Sequence, residues 1–365
     1  MFGWQNYGGA TRYYSQLLSR LNNDPELRVV FPILFSDNRY IRDCSFAKHW
    51  RGAQELRFKG KMRAYRFANE IYDRKKMANT SFDILHPTYY DPYFLDYLKG
   101  RPYVVTVLDM IHELFPETLA KGQKRVRRWK EITIPKADVV VAISESTKRD
   151  LVKIYGLAPS KIHVIPLATD LSRNSGAGKS SLHLPARYIL YVGSRAEGYK
   201  NFGALAEAFC HVSEKQRELY LLCVGGGPFS VSENRLFARL GISGKVAQIP
   251  ANDEELSELY SRACALAYPS RYEGFGIPVL EAFACGCAVA ASNSSSLPEV
   301  GDDACLYFDA GDTRQIAEKL EALLADENLR NNLVQKGYAQ VRKFSWDGMA
   351  AKTKETYRTL ISRTK

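Results

Sequence analysis

Eleven short runs of β-branched and apolar residues, most of them followed by a segment of helical spacing, limit this chain to few architectures. Five come early, at 28–34 (RVVFPIL), 82–87 (FDILHP), 103–109 (YVVTVLD), 138–144 (DVVVAIS) and 161–167 (KIHVIPL). Six come late, at 188–194 (YILYVGS), 219–227 (LYLLCVGGG), 245–250 (KVAQIP), 265–270 (ALAYPS), 287–292 (CAVAAS) and 306–309 (LYFD). Strands that are apolar along their whole length are buried on both faces, and such strands belong to parallel sheets covered by crossover helices. Two series of them predict an α/β protein of two Rossmann-like, doubly wound domains.

The series are separated by 169–187 (TDLSRNSGAGKSSLHLPAR), a stretch rich in Ser, Gly and Asn without apolar periodicity, which reads as a linker. The boundary predicted there gives an N-terminal domain over 1–170 and a C-terminal domain over 171–346. A length of 365 residues agrees, because single hydrophobic cores stop growing at about 250–300 residues. The GAGKSS inside the linker is not a phosphate-binding P-loop: the position for its first glycine holds Arg173, and no strand leads into it.

The first domain lacks an opening strand. A doubly wound domain normally begins with a central strand that delivers the chain to a glycine turn, yet Gly8 and Gly9 follow only MFGWQNY, which has no strand pattern. The expectation is a chain that is a fragment or starts at an internal methionine, with an N-terminal sheet missing its inner strand.

Composition excludes several classes. No apolar run approaches the roughly 20 residues needed to cross a bilayer, and neither a basic n-region nor an apolar h-region follows Met1, which predicts a cytoplasmic protein. The seven cysteines are odd in number, show no C-x-x-C spacing and read as reduced core residues. The net charge of +11 is uneven: residues 1–170 hold 28 Lys and Arg against 18 Asp and Glu, and the remainder 23 against 22. A basic N-terminal half suits an anionic partner such as a membrane surface, with KGQKRVRRWK (121–130) its densest segment. No RNA-recognition signature or zinc-finger spacing is present, so nucleic acid is not among the partners.

The chemistry concentrates in PSRYEGFGIPVLEA (269–282). A strand ends at Pro269, the glycine-rich loop cannot continue it, and a helix follows with Pro278 suited to its first turn. Glu273 therefore lies on a loop at the carboxyl end of a strand, where open α/β sheets place ligands, and Glu281 lies in the early helix. Gly274 and Gly276 let backbone approach a ligand, with Phe275 and Ile277 beside them, and the free N–H groups of the helix start suit an anion. In YVGSRAEGYKNF (191–202) a second strand ends, and Arg195 and Lys200 flank its turn as cations suited to a diphosphate. A phosphate beside hydroxyls within reach of two carboxylates describes a nucleotide sugar. The dinucleotide-dependent oxidoreductase reading fails, because no G-x-G-x-x-G follows the first strand of either domain.

These motifs, with VGGG (224–227) and SLPEVGDDACLYFD (296–309), resemble glycosyltransferase family 4, the retaining "group 1" enzymes of the GT-B fold, over nearly the whole chain. The resemblance implies two domains facing across a cleft, the first binding the acceptor and the second the donor, with a C-terminal helix at 347–365 crossing back to the first. It implies that Glu281 binds the nucleotide ribose, that Glu273 contacts a donor-sugar hydroxyl, and that Arg195 and Lys200 neutralise the donor diphosphate. Neither a metal nor another cofactor is then required, and Asp302 and Asp303 in GDDA read as surface residues.

At the N-terminus, QNYGGATRYYSQLL looks like the family's glycine loop, with Gly9 brought toward the donor and Tyr13, Tyr14, Leu17 and Leu18 on the core face of its helix. In VVTVLDMIHELFPE (104–117), Leu108 stands where many relatives carry a histidine, leaving Asp109 and His112 to orient the acceptor or handle its proton. His86, with Tyr89, Tyr90 and Tyr93, suits an acceptor platform or core packing, and Trp346 falls near the expected hinge. The implied function is a hexosyltransferase that moves a sugar from a nucleotide sugar, GDP-mannose first and UDP-sugars next, to a hydroxyl of a saccharide or lipid-linked acceptor. Surface polysaccharide or lipopolysaccharide assembly at the inner face of the plasma membrane is the setting expected. The competing reading is a catalytically inactive nucleotide- or glycan-binding scaffold.

Overall fold

The computed structural model describes residues 1–3, 8–41, 44, 46–47, 58, 60–118, 124–173, 182–196 and 198–364. In the first domain, helices α1 (Gly9–Asn22) and α2 (Lys61–Asn79) precede strand β1 (Val104–Val107). Then come α3 (Ile111–Leu114), α4 (Lys124–Lys136), β2 (Val139–Ala142), α5 (Glu145–Tyr155) and β3 (Ile162–Val164). The strands form a parallel sheet in the order β1-β2-β3, every residue of β1 and β2 being buried. Tyr13 and Tyr14 of α1 are buried in the core, Leu17 beside them, and Leu18 packs at its edge.

The second domain runs β4 (Arg187–Val192), α6 (Phe202–Lys215), β5 (Leu219–Val224), α7 (Val231–Arg239), β6 (Val246–Ile249), α8 (Asp253–Arg262) and β7 (Ala265–Tyr268). It continues through α9 (Ile277–Cys285), β8 (Val289–Ser292), α10 (Leu297–Gly301), β9 (Cys305–Phe308), α11 (Thr313–Ala325) and α12 (Glu327–Val341). Its six strands are parallel in the order β6-β5-β4-β7-β8-β9, so the winding reverses between β4 and β7. Alternation along β4 sends Tyr188 and Leu190 to the α8–α9 face and Ile189 and Tyr191 to the face covered by α6 and α11. Capping fixes where the helices begin: Ser230 with Glu233 and Asn252 with Glu255 form reciprocal capping boxes on α7 and α8.

All six late runs form strands, whereas only three of the five early ones do. Segment 82–87 contributes one parallel bridge, Leu85 to Tyr103, and segment 28–34 joins no ladder. A β-branched run is a strand only when a neighbour supplies partners, and among the described residues none pairs with 28–34. No strand occurs at Met1, Phe2, Gly3 or Gly8, and residues 4–7 lie outside the described set, as does the GAGKSS of the linker.

The last helix, α13 (Trp346–Thr364), lies against α1. Arg20 Nε reaches Asp347 at 2.6 Å, Lys354 Nζ reaches Asp24 at 2.6 Å, and Arg358 pairs with Glu26. Trp346 is buried at its start. Between the domains, the N-cap Ser144 of α5 accepts from Thr147 N at 3.0 Å and donates to Gly274 O at 2.7 Å. Glu299 of α10 accepts from the backbone N–H groups of Glu145 and Ser146, placing a carboxylate at the positive end of α5. Ser144→Ala removes a cap and a buried interdomain bond together. It is expected to lower stability by about 2 kcal/mol, read from the urea midpoint, with faster amide exchange at 145–148.

Candidate active site

The loop leaving β7 is pinned from below by serines. Ser292 Oγ donates to Ser270 O at 2.5 Å, Ser295 Oγ accepts from Glu273 N at 2.8 Å, and Ser296 Oγ bonds the carbonyls of Glu273 and Phe275 at 2.9 and 2.8 Å. Phe275 anchors the loop by packing edge-on to Phe344, with ring centroids 5.7 Å apart. Gly276 turns the chain into α9 at φ 105°, where a Cβ would stand 2.7 Å from Leu297 Cδ2. The loop lies at the carboxyl ends of β7 and β4, the reversal point of the sheet, where doubly wound domains place ligands.

The six predicted charged and polar side chains fall into local groups. Lys200 and Glu273 meet directly, Lys200 Nζ lying 2.8 and 3.0 Å from the two carboxylate oxygens. Glu281 is buried, with Oε1 taking a 3.2 Å bond from Arg12 Nη1 and Oε2 a 3.0 Å bond from Tyr260 Oη. Burial raises the Glu281 carboxyl above its ordinary value, against the opposing pull of Arg12. Arg12 comes from α1, so this pair links the domains, and its Nη2 also lies 3.5 Å from Asp170.

Arg195 departs from the expectation of a cation free to meet a diphosphate. Its Nε donates to Glu233 at 2.6 Å, and its two terminal nitrogens donate to Gly225 O at 2.5 Å and Gly227 O at 2.6 Å. The reason is geometric: a planar guanidinium matches the converging carbonyls of a glycine turn whose three residues all have positive φ. Arg195 thus holds the VGGG loop in place.

Across the cleft, the first domain touches the loop at Gly274. A Cβ there would lie 1.8 Å from Leu108 O and 3.1 Å from Asp109 Cβ, so only glycine fits. Leu108 meets the loop through its carbonyl, which any residue supplies. Gly9 faces the start of α9, its hypothetical Cβ 3.8 Å from Ile277 Cδ1. Asp109 accepts from Ile111 N at 3.1 Å and lies 3.9 Å from His112 Nδ1. His112 Nδ1 is buried without a hydrogen-bond partner, and burial and then Lys130 lower the imidazole's affinity for a proton.

Four residues important here were not legible as such in the sequence. Arg12 has one signal, its position three residues after Gly9 on the same helical face. Lys130 belongs to a run read as membrane-facing, yet it is 1% exposed and donates to Asp109 O at 2.7 Å and Glu113 Oε2 at 3.1 Å. Tyr260 and Glu299 carried no spacing signal. His86 turns from the cleft to a network with Thr106 Oγ1 at 2.8 Å and Tyr357 Oη at 2.5 Å. Tyr89 packs on Tyr90 and Trp129, and Tyr93 donates to Asp73, so the aromatics stabilise the domain. Asp302 and Asp303 pair with Lys343 at 3.3 Å and Lys336 at 2.8 Å.

Comparison with known proteins identifies the family and the fold. Residues 7–173 match the family model described as Glycosyltransferase Family 4, and residues 178–340 match Glycosyl transferases group 1. The chain belongs to the family 4 glycosyltransferases and has the GT-B fold. The O-antigen chain mannosyltransferase B of Escherichia coli is 28% identical over 289 residues, 75% of this chain and 73% of that one. Sucrose-phosphate synthase from Thermosynechococcus elongatus superposes with TM-score 0.74 at 21% identity, covering 98% of this chain and 94% of that one. HepE of Anabaena, solved with UDP and glucose, gives 0.74 at 16% identity over 97% of both chains.

Replacing Arg12 with Met leaves Glu281 buried without its cation, which is expected to cost about 3–5 kcal/mol at neutral pH. A carboxyl whose folded pKa is raised contributes most stability below its unfolded value and loses it as pH rises through the folded value. The deficit of the variant therefore shrinks toward pH 5, and adding Glu281→Gln recovers most of it, as urea titrations at both pH values would read.

Proposed function

We propose that this protein is a retaining hexosyltransferase that transfers a sugar from a nucleotide sugar, GDP-mannose first and UDP-sugars next, to a hydroxyl of a saccharide or lipid-linked acceptor. The observation that carries the reading is the Lys200–Glu273 pair beside the glycine turn into α9, at the reversal point of the donor domain's sheet. When a donor enters, Lys200 exchanges its carboxylate for the diphosphate and stabilises the charge that develops on the leaving nucleoside diphosphate. Glu273, released, accepts from a hydroxyl of the donor sugar. Glu281 takes the ribose hydroxyls, Arg195 keeps the glycine loop positioned, and the N–H groups at Gly276 and Ile277 face the phosphate. With Lys200 and the N–H groups of the helix start facing the diphosphate, the proposed transfer needs no metal. His112 Nδ1, buried without a partner, is available to the acceptor hydroxyl, with Asp109 beside it.

The role in surface polysaccharide assembly rests on similarity to the O-antigen mannosyltransferase. Among the described residues no helix is long and apolar enough to cross a membrane. We place the protein at the cytoplasmic face of an anionic membrane through its first domain. Helix α2 exposes Phe67 at 67% and Ile71 at 52%, with Arg63 and Lys75 exposed beside them, and α4 exposes Lys124, Arg125, Arg127 and Arg128.

A donor at 100 times its dissociation constant is expected to stabilise the protein by about 2.7 kcal/mol, seen as a rise in Tm across a nucleotide-sugar panel. Lys200→Met is expected to lose about 10²–10³-fold in turnover, and Glu281→Gln most of the Tm rise. No Tm rise with any nucleotide sugar refutes the donor site, and a rise without turnover assigns the protein to the inactive scaffold class. Separately, Phe67→Ser with Ile71→Ser is expected to reduce sedimentation with phosphatidylglycerol vesicles, while neutral vesicles retain neither form.

A further inference from the structure

Tyr272 belongs by sequence to the second domain and by packing to the first. It leaves the loop after β7 and is buried in the hydrophobic cluster that holds Val107, Met110 and Leu151. Among the described residues it is that cluster's one member from the second domain. Its hydroxyl is used in both directions, donating to Asp150 Oδ2 of α5 at 2.8 Å and accepting from Met110 N at 3.2 Å. Burial, and then the Asp150 carboxylate, raise the phenol's pKa, so its proton stays available to that bond. Phe115, at the end of α3, packs on the Tyr272 ring with centroids 5.8 Å apart and on the Tyr199 ring at 5.9 Å.

Tyr272 and Tyr199 immediately precede Glu273 and Lys200, the two groups that meet in the proposed donor site. The Tyr199 ring also faces the Lys200 ammonium, which lies 5.4 Å from its centroid. Within the second domain, serine hydroxyls bond the N–H and C=O of Glu273. A serine hydroxyl turns to suit a shifted peptide, whereas a ring enclosed by the other domain and bonded at its tip does not. An apolar cluster would hold a phenylalanine ring equally well, so the hydroxyl adds direction rather than burial. We propose that Tyr272 is a positioning residue, through which the first domain sets where Glu273 stands against Lys200. The inference rests on the reading of Glu273 as the carboxylate that meets the donor sugar.

The test compares Tyr272→Phe, which keeps the ring, with Asp150→Ala, which removes the partner on α5 and touches no proposed donor group. In the ligand-free protein both are expected to speed exchange of the Glu273 amide, whose bond to Ser295 lies within the second domain, by about fivefold to tenfold, with the amides of β5 unchanged. The double variant adds little to either single one, and Asp150→Asn, whose side-chain oxygen still accepts, stays within about twofold of the unmodified protein. Tyr272→Phe and Asp150→Ala are each expected to lower kcat for hydrolysis of GDP-mannose or UDP-glucose, whichever raises the Tm, by about tenfold, with KM changed by less than about twofold. Unchanged exchange at Glu273, exchange that rises equally in β5, or an unchanged kcat beside a loosened Glu273 overturns the proposal. If no nucleotide sugar raises the Tm of the unmodified protein, the donor reading fails by itself, and exchange at Glu273 alone then decides whether Tyr272 positions it.

Discussion

The contact of Gly274 with the first domain sets the geometry of the whole cleft. With no Cβ, the loop after β7 lies directly on the Leu108 carbonyl, while its own carbonyl takes bonds from Ser144 and Thr147. A methyl group would have to displace main chain, which moves only with the domain that carries it. The same contact brings Asp109 against the residue following Glu273, so groups assigned to acceptor and donor chemistry become neighbours. The Arg12–Glu281 pair and the seating of Glu299 on α5 are compatible with this one arrangement.

How much was readable beforehand follows from where the information resides. The second domain's strands were legible because most are apolar along nearly their whole length and their neighbours are within the same chain segment, so burial and ladder agree. Segment 28–34 reads equally well as a strand, but pairing is a property of two segments, and its composition cannot supply the other one. In the site, Glu273 with Lys200 and the glycine turn were legible from loop position and helix start. Arg12 and Lys130 were not, since a basic residue reads as solvated until a fold buries it. Arg195 was identified as a strand-end cation, but its use depended on three carbonyl and carboxylate partners 30 to 38 residues away.

The buried charges in the cleft have a common logic. Arg12, Lys130, Glu113 and Glu281 are each withdrawn from water, and each has an opposite partner within 3.2 Å. Such pairs add little net stability, because desolvation offsets much of their attraction, yet removing one member is severe. Their value lies in specifying one arrangement: Lys130 and Glu113 fix α4 on α3 within the first domain, and a misaligned cleft would strand the charges of the Arg12–Glu281 pair that spans the domains. The Lys200–Glu273 pair differs, being open enough at 15% and 9% side-chain exposure for an incoming anion to compete.

That difference bears on how binding and closure are linked under the proposed function. In the closed arrangement Glu281 is held by Arg12 from the opposite domain, and the ribose of a donor would seek the same carboxylate. Four lone-pair sites on one carboxylate allow sharing, since Arg12 and Tyr260 each use one oxygen at a single direction. A ribose hydroxyl that bonds without displacing Arg12 favours the closed state, because its partner carboxylate is positioned only when the domains meet. One that must displace Arg12 favours the open state, since the guanidinium then needs water. A ligand shifts such an equilibrium only by its differential affinity for the two states. The arrangement of Arg12 on Glu281 therefore determines whether donor binding and domain closure reinforce or oppose each other.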